Sequence, residues 1–260
     1  MLLSARSARS AREVPVPSEL FSIRDWLGAE WQEGQRLYVV MGNASEANPL
    51  QAYYQQASII LPRPIWSGTP YAGWQEVMPY LGELEIGSNF LDWIDEAPTQ
   101  DWGWLAMSPH PPESVLDHLR SLTQVRMPDG AEVFFRFWDG SYWLPTLKHL
   151  GQEITQVLPT VHRYWVNGRA VQVDPVPLQP AKTYPWWQVP ADLIATLMGE
   201  DPSTLVDNLM QWLREEHADL YFALPTPNLQ LKVERHVRNG AMDDRLKQRL
   251  LALLEKETAR

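Results

Sequence analysis

Residues 112–147 read PESVLDHLRSLTQVRMPDGAEVFFRFWDGSYWLPTL, and the fold is decided in this stretch. Pro112 and Glu113 open a helix, with Val115, Leu116, Leu119 and Leu122 recurring at helical spacing. Pro128-Asp129-Gly130 is a tight turn, because proline presets φ and glycine accepts φ > 0. The turn joins residues 125–127 to residues 133–138, so the centre is a β-hairpin. In the second strand Val133, Phe135 and Phe137 point one way and Phe134, Arg136 and Trp138 the other. Both faces are largely apolar, as in a sheet covered by helices on both sides. Arg136 is the one charge in that run, and a buried guanidinium requires an anionic or carbonyl partner. Asp139, Asp117 and Glu113 are the carboxylates nearest in sequence.

Upstream, Leu20, Ile23, Trp26, Leu27 and Trp31 form the stripe of a short amphipathic helix. Residues 37–41 are a continuous apolar strand ended by Gly42-Asn43, and residues 49–54 begin a second helix. Residues 58–61 are expected as a second buried strand. Residues 62–87, rich in Pro, Gly and aromatics such as Trp66, Tyr71, Trp74 and Tyr80, suit an irregular packed loop. Asn89 caps a short helix through Ile94, and residues 102–107 are a third strand. A helix over residues 144–149 follows the hairpin. Strands alternating with helices predict an α/β domain with a mixed sheet, whose antiparallel part is the PDG hairpin.

Downstream the character changes. Asn167-Gly168 between apolar residues is a hairpin signal. Prolines at 175, 177, 180, 185 and 190 make a stiff, extended connector. Beyond it, Asp201-Pro202 starts a helix striped by Leu205, Leu209, Trp212 and Leu213. A last helix from about Asp243, favourably charged at its start by Asp243-Asp244, carries Leu246, Leu250, Leu253 and Leu254 on one side.

The central residues also carry a resemblance. His118-Leu119-Arg120, the PDG turn and Phe135-Arg136-Phe137-Trp138-Asp139 resemble the core of the type VI secretion effector adaptors (Tap/Tec type), long catalogued as a domain of unknown function. LYVVMGNA at residues 37–44, Met78-Pro79-Tyr80-Leu81 and Trp102-Gly103-Trp104-Leu105 are similar to further elements of that family, in the same order. The likeness covers roughly residues 35–150. Two departures stand out: Gly42-Asn43 where the family's first strand commonly ends in aspartate, and Gly140-Ser141 where it usually continues Pro-Arg. The resemblance implies a non-enzymatic, cytoplasmic adaptor or chaperone of a bacterial type VI secretion system. Its implied partners are a cognate secreted toxin effector and the VgrG spike protein.

Composition narrows the alternatives. A formal charge of -10 disfavours nucleic acid and anionic membrane as partners, so neither is expected. Three Ser-Ala-Arg copies over residues 4–12 are the one basic cluster, in a segment lacking the apolar residues that order requires. Without an apolar h-region or a run of about 18 apolar residues, neither a signal peptide nor a membrane span is expected. The absence of cysteine excludes disulfides and thiolate chemistry. No P-loop, G-x-G-x-x-G or G-x-S-x-G is present, and the six histidines lack metal-ligand spacing. Ser114 and His118 lie one helical turn apart, but nucleophile–base pairs are set by tertiary geometry, and Ser114 is read as polar surface. Asp92, Asp95 and Glu96 are read as a solvated helix end.

The expected organisation is a disordered tail (1–18), an α/β adaptor domain (19–160), a hairpin and Pro-rich connector (161–190) and a helical lobe (191–260). No catalytic, cofactor-binding or metal site is expected. The structural or partner-binding candidates are Arg136, Trp138, Asp139, Trp186, Trp187 and Trp212. Arg136 and Asp139 are read as a buried pair fixing the strand end against the Pro112 helix. Of Trp186 and Trp187, one is expected to be exposed or held for a partner, since neighbours in an extended segment face opposite ways. The rival reading from another class is a hydrolase-type enzyme whose site is assembled from scattered residues.

Overall fold

The structure, a computed structural model, describes residues 22–56, 60–200, 203–239 and 245–258. The expected tail, the Asp201-Pro202 helix start and Asp243-Asp244 lie outside them.

The centre of the fold is β1 (Arg36–Gly42), buried along its length after Arg36. Its side chains alternate: Leu37, Val39 and Met41 enter one apolar cluster, Tyr38 and Val40 another. β1 pairs antiparallel with β3 (Pro79–Leu84) on one side and β4 (Gly103–Ser108) on the other. β2 (Arg63–Pro64) extends the sheet beyond β3, while β7 (Arg163–Val166) and β8 (Arg169–Gln172) extend it beyond β4. The order is β2-β3-β1-β4-β7-β8. β4 and β7 alternate likewise, with Trp104 and Tyr164 on one face and Leu105 and Trp165 on the other. A sheet covered on both faces is what the apolar runs require.

The α/β class stands, and the pairing directions refine it. Every ladder of the six-stranded sheet is antiparallel, and the parallel contact is an isolated bridge between Arg126 and Gln188. The PDG hairpin is a separate two-stranded sheet, β5 (Gln124–Arg126) with β6 (Glu132–Phe134), rather than part of the main one. Its turn is as expected: Gly130 has φ +87°, and the Asp129 carboxylate accepts from Ala131 N at 3.0 Å. β6 is shorter than its apolar run. The chain folds back beyond Phe134, with Phe137 N donating to Phe135 O and Asp139 N to Arg136 O, and Phe135 and Phe137 both enter the core.

Two further expectations are corrected. The second buried strand is absent where it was expected: Ile60 and Leu61 are exposed and outside any strand, and Ser58 and Ile59 lie outside the described residues. The stretch read as loop contains β3 instead. Pro79 and Gly82 disguise it, yet Gly82 is needed there. A Cβ at Gly82 would sit 2.5 Å from the Tyr53 ring and 2.8 Å from Val39 Cγ1. The proline opens the strand, where a missing N–H is tolerated.

The Asn167-Gly168 turn has φ of +49° and +75°, the paired positive values of a two-residue type I′ hairpin. Because β7 pairs with β4, this hairpin belongs to the main sheet and not to the connector. The helical boundary moves as well. α7 (Ala191–Glu200) inserts Leu193 into the same cluster as Trp104, with Ile194 and Leu197 packed against it. A separate core joins α8 (Ser203–Glu216), α9 (Ala218–Phe222), α10 (Thr226–Asn239) and α11 (Leu246–Thr258) through Leu209, Leu213, Leu229, Val233 and Leu250. Leu253, expected on the apolar side of α11, is exposed. No helix among the described residues is long and apolar enough to cross a membrane.

Candidate partner-binding surface

The surface is hung from α4 (Pro112–Arg120), whose Val115 and Leu119 anchor it in the core. Its exposed face holds two irregular segments in place. Arg120 Nε donates to Ile65 O at 2.9 Å, and Glu113 pairs with Arg63 at 2.8 Å, together fixing the chain that leaves β2. That ion pair holds the Glu113 carboxyl below the usual carboxylate range. His118 Nδ1 lies 2.8 Å from Ser114 O, and its Nε2 lies 3.0 Å from Gln179 O in the connector. His118 therefore contacts the Ser114 carbonyl rather than acting on its hydroxyl. In the His118-Leu119-Arg120 triplet the outer residues clamp backbone on either side and the middle one fills the core.

Between these clamps lies an aromatic ledge. Trp66 is buried at its base, and Tyr71, Trp74 and Phe134 close over it with centroids 6.2, 6.4 and 5.7 Å away. The upper rings touch one another: Tyr71–Phe134 at 4.8 Å, Tyr71–Trp74 at 5.2 Å and Trp74–Phe134 at 5.2 Å. Tyr184 of the connector stands 6.4 Å from Tyr71. Trp74 is 49% exposed, and Val77 and Val133 nearby in the chain are exposed too. The loop is preorganised by its own bonds. Thr69 Oγ1 donates to Trp66 O and accepts from Tyr71 N, and Asn43 Nδ2 donates to Gln75 O at 2.8 Å. Edge-to-face aromatic packing adds about 0.5–1.5 kcal/mol per pair beyond burial, so the ledge keeps its shape without a partner.

The candidates read from sequence are distributed differently. Asp139 is 2% exposed and caps α5 (Gly140–Leu150), accepting from Ser141 N at 2.9 Å and from Arg136 Nη2 at 2.7 Å. Arg136 is not buried: its side chain is 46% exposed and lies over the Tyr142 ring. The pair therefore fixes the start of α5, not the strand end against α4, where Asp117 pairs with Arg120 instead. Burial pushes the Asp139 carboxyl up despite Ser141 and Arg136. Trp138 is buried beneath the ledge, 5.3 Å from Trp66, and its ring packs on Gly42, where no side chain would fit. Trp187 is buried against Phe135, whereas Trp186 is half-buried with Lys182 over its ring. Trp212 sits in the helical lobe against His217, under Lys247. The acidic cluster near Asp92 is not free: Arg24 pairs with Asp92, and Asp95 accepts from Ile23 N, tying α1 (Ile23–Glu30) to α3 (Phe90–Asp95).

Two histidines at the β4–β7 seam respond to pH. His110 and His162 have ring centroids 6.3 Å apart, and His162 Nε2 is buried without a partner. Burial lowers both pKa values first; next come the charge of His118 for His110, and those of His110 and Arg163 for His162. With folded values below the unfolded 6.5, the unfolded chain binds protons first as pH falls. Stability is complete above that value and lost progressively beneath it. The carboxyls of Asp95 and Asp139, both raised above the usual carboxylate range, act in the opposite sense at lower pH. The melting temperature is expected to fall between about pH 7.5 and pH 5.5, and less so in His162→Gln. Equal melting temperatures for the unsubstituted chain at both pH values would contradict this.

Among the described residues no group of three or more His, Asp or Glu is placed to hold a metal ion. Among the described residues one surface cleft lies beside α2 (Pro49–Gln56) and another between α4 and the connector, and no carboxylate lines these two.

Residues 37–156, from β1 into α6 (Ile154–Val157), match the family described as Domain of unknown function (DUF4123). The chain is also 24% identical over 153 residues to Accessory protein VasW of Vibrio cholerae serotype O1. That alignment covers 57% of this chain and 50% of VasW, so the chain spans about half the length of the curated relative it matches. No solved structure matches. The family match falls on nearly the same stretch, roughly residues 35–150, that carries the motif resemblance.

Proposed function

We propose that this protein is a non-enzymatic adaptor that binds a cognate toxin effector in the bacterial cytoplasm and loads it onto the VgrG spike of a type VI secretion system. The observation that carries the reading is the preorganised aromatic ledge, with Trp74 half-exposed above packed rings. Tryptophan and tyrosine are the residues most enriched at energetic centres of protein interfaces, and a rigid ledge avoids the ordering cost of forming one on binding. The family resemblance agrees with it. What favours an adaptor over a hydrolase is the engagement of both His118 ring nitrogens by backbone carbonyls. Trp138 serves this reading as a support from beneath, Trp187 as an anchor of the connector on Phe135, and Trp186 and Trp212 as further contacts.

Trp74→Ala tests the proposal. Its ring contacts to Trp66, Tyr71 and Phe134 are lost, so the melting temperature is expected to fall by a few degrees, while loss of a central anchor is expected to weaken effector binding by about tenfold or more. A tagged unsubstituted chain from its native cell should retrieve a toxin and VgrG, and Trp74→Ala, assayed well below its own melting temperature, should retrieve less toxin. Equal recovery by both would remove the ledge from the effector interface.

A further inference from the structure

We propose that the cleft between α4, α6 and the connector takes an extended segment of the partner in which a carboxylate is followed by an apolar side chain. The cleft measures about 350 Å³, at the small end of ligand pockets and of a size for two or three residues rather than a folded surface. Val157 and Pro159 of the α6 end, Val176 and Pro177 of the connector, and Lys182 and Trp186 line it. The polar groups of its walls are largely spent on the protein. His118 engages the carbonyls of Ser114 and Gln179, Ser121 Oγ donates to His118 O and accepts from Trp186 Nε1, and Thr155 Oγ1 donates to Gln152 O. Among the described residues, the side chains of Gln156, Gln179 and Lys182 remain for a ligand.

Lys182 decides the chemistry. Its Nζ stands 4.0 Å from the centroid of the Trp186 ring and pairs with no carboxylate among the described residues. An aromatic face fixes an ammonium without neutralising it. In a chain of net charge -10, this is a positive point at the mouth of a cleft that contains no acid. The complement is a carboxylate on Nζ, an apolar side chain against the valines and prolines, and backbone amides against the two glutamines. The inference rests on the adaptor reading only for the identity of the partner.

The probe is a capped five-residue peptide with one aspartate followed by two leucines, titrated calorimetrically into the full chain at low ionic strength. Its twin carries asparagine in place of aspartate. The acidic peptide is expected to bind about fivefold tighter than its twin, the upper end for an exposed lysine–carboxylate contact. Lys182→Ala should abolish the difference and Lys182→Glu reverse it, while Trp186→Ala weakens both peptides. Equal affinity for the two peptides, or binding of neither, overturns the inference whatever the chain retrieves from cells. Discrimination by the cleft together with failure to retrieve any toxin would instead sink the adaptor reading and leave this one standing.

Discussion

Alanine at Gly103 is expected to cost the first lobe about 4 kcal/mol or more, lowering its melting temperature by roughly 10 °C. Gly103 opens β4 opposite Met41, with φ +147°, in a region that side-chain-bearing residues avoid. An added Cβ would lie 2.1 Å from Val40 O and 3.2 Å from Met41 Cα. Both obstacles are backbone of the central strand, so no rotamer relieves them. β1 must shift, and with it the side chains it sends into both cores. Gly87→Ala is the control, since nothing lies within 4 Å of a Cβ there. Circular dichroism melts should show a large loss for Gly103→Ala and almost none for Gly87→Ala. Matching melts would mean that the seam between β1 and β4 is looser than drawn.

Asp139 gives the second large effect, and its two substitutions should separate capping from charge. Asp139→Ala removes the acceptor for Ser141 N and the partner of Arg136 together, an expected loss of about 3 kcal/mol. Asp139→Asn keeps an acceptor for Ser141 N and removes only the charge. Because burial already raises this carboxyl's pKa, the ionised form is held at a cost, and asparagine is expected to lose about 1 kcal/mol or less. Arg136→Ala should fall between them, since its guanidinium is half in water. Denaturant unfolding of the three variants orders them. If asparagine is as damaging as alanine, the contact with Arg136, not the cap, holds the start of α5.

What was legible in the sequence was what is decided locally. The PDG and Asn167-Gly168 turns follow from residues that accept positive φ, and α4 from apolar spacing behind a proline. β3 was hidden because its Pro79 and Gly82 answer to neighbours distant in sequence: Gly82 makes room for Tyr53 and Val39. Strand direction was equally out of reach, since β1 takes one partner from within the Pro- and Gly-rich stretch and the other from beyond it. The site shows the same division. Tryptophan abundance points to a binding surface, and the strand and connector patterns single out Trp138 and Trp187. The fold turns those two inward and raises Tyr71, Trp74 and Phe134, which a loop and a hairpin bring together only in three dimensions. Apolar neighbours make Arg136 read as buried, but the strand ends before it.

The attachment of β7 to β4 sets where chimeras of this protein with its relatives should be joined. The family match stops at residue 156, before the sheet is complete. A junction there would replace Tyr164 and Trp165, one from each face of the sheet, by side chains never fitted to β4. A protein ending there would leave Leu105, Ala106 and Met107 along an unpaired apolar border, the kind that recruits other chains. The exchangeable unit therefore runs at least through Leu197, which packs against the core, and is some forty residues longer than the segment by which relatives are matched.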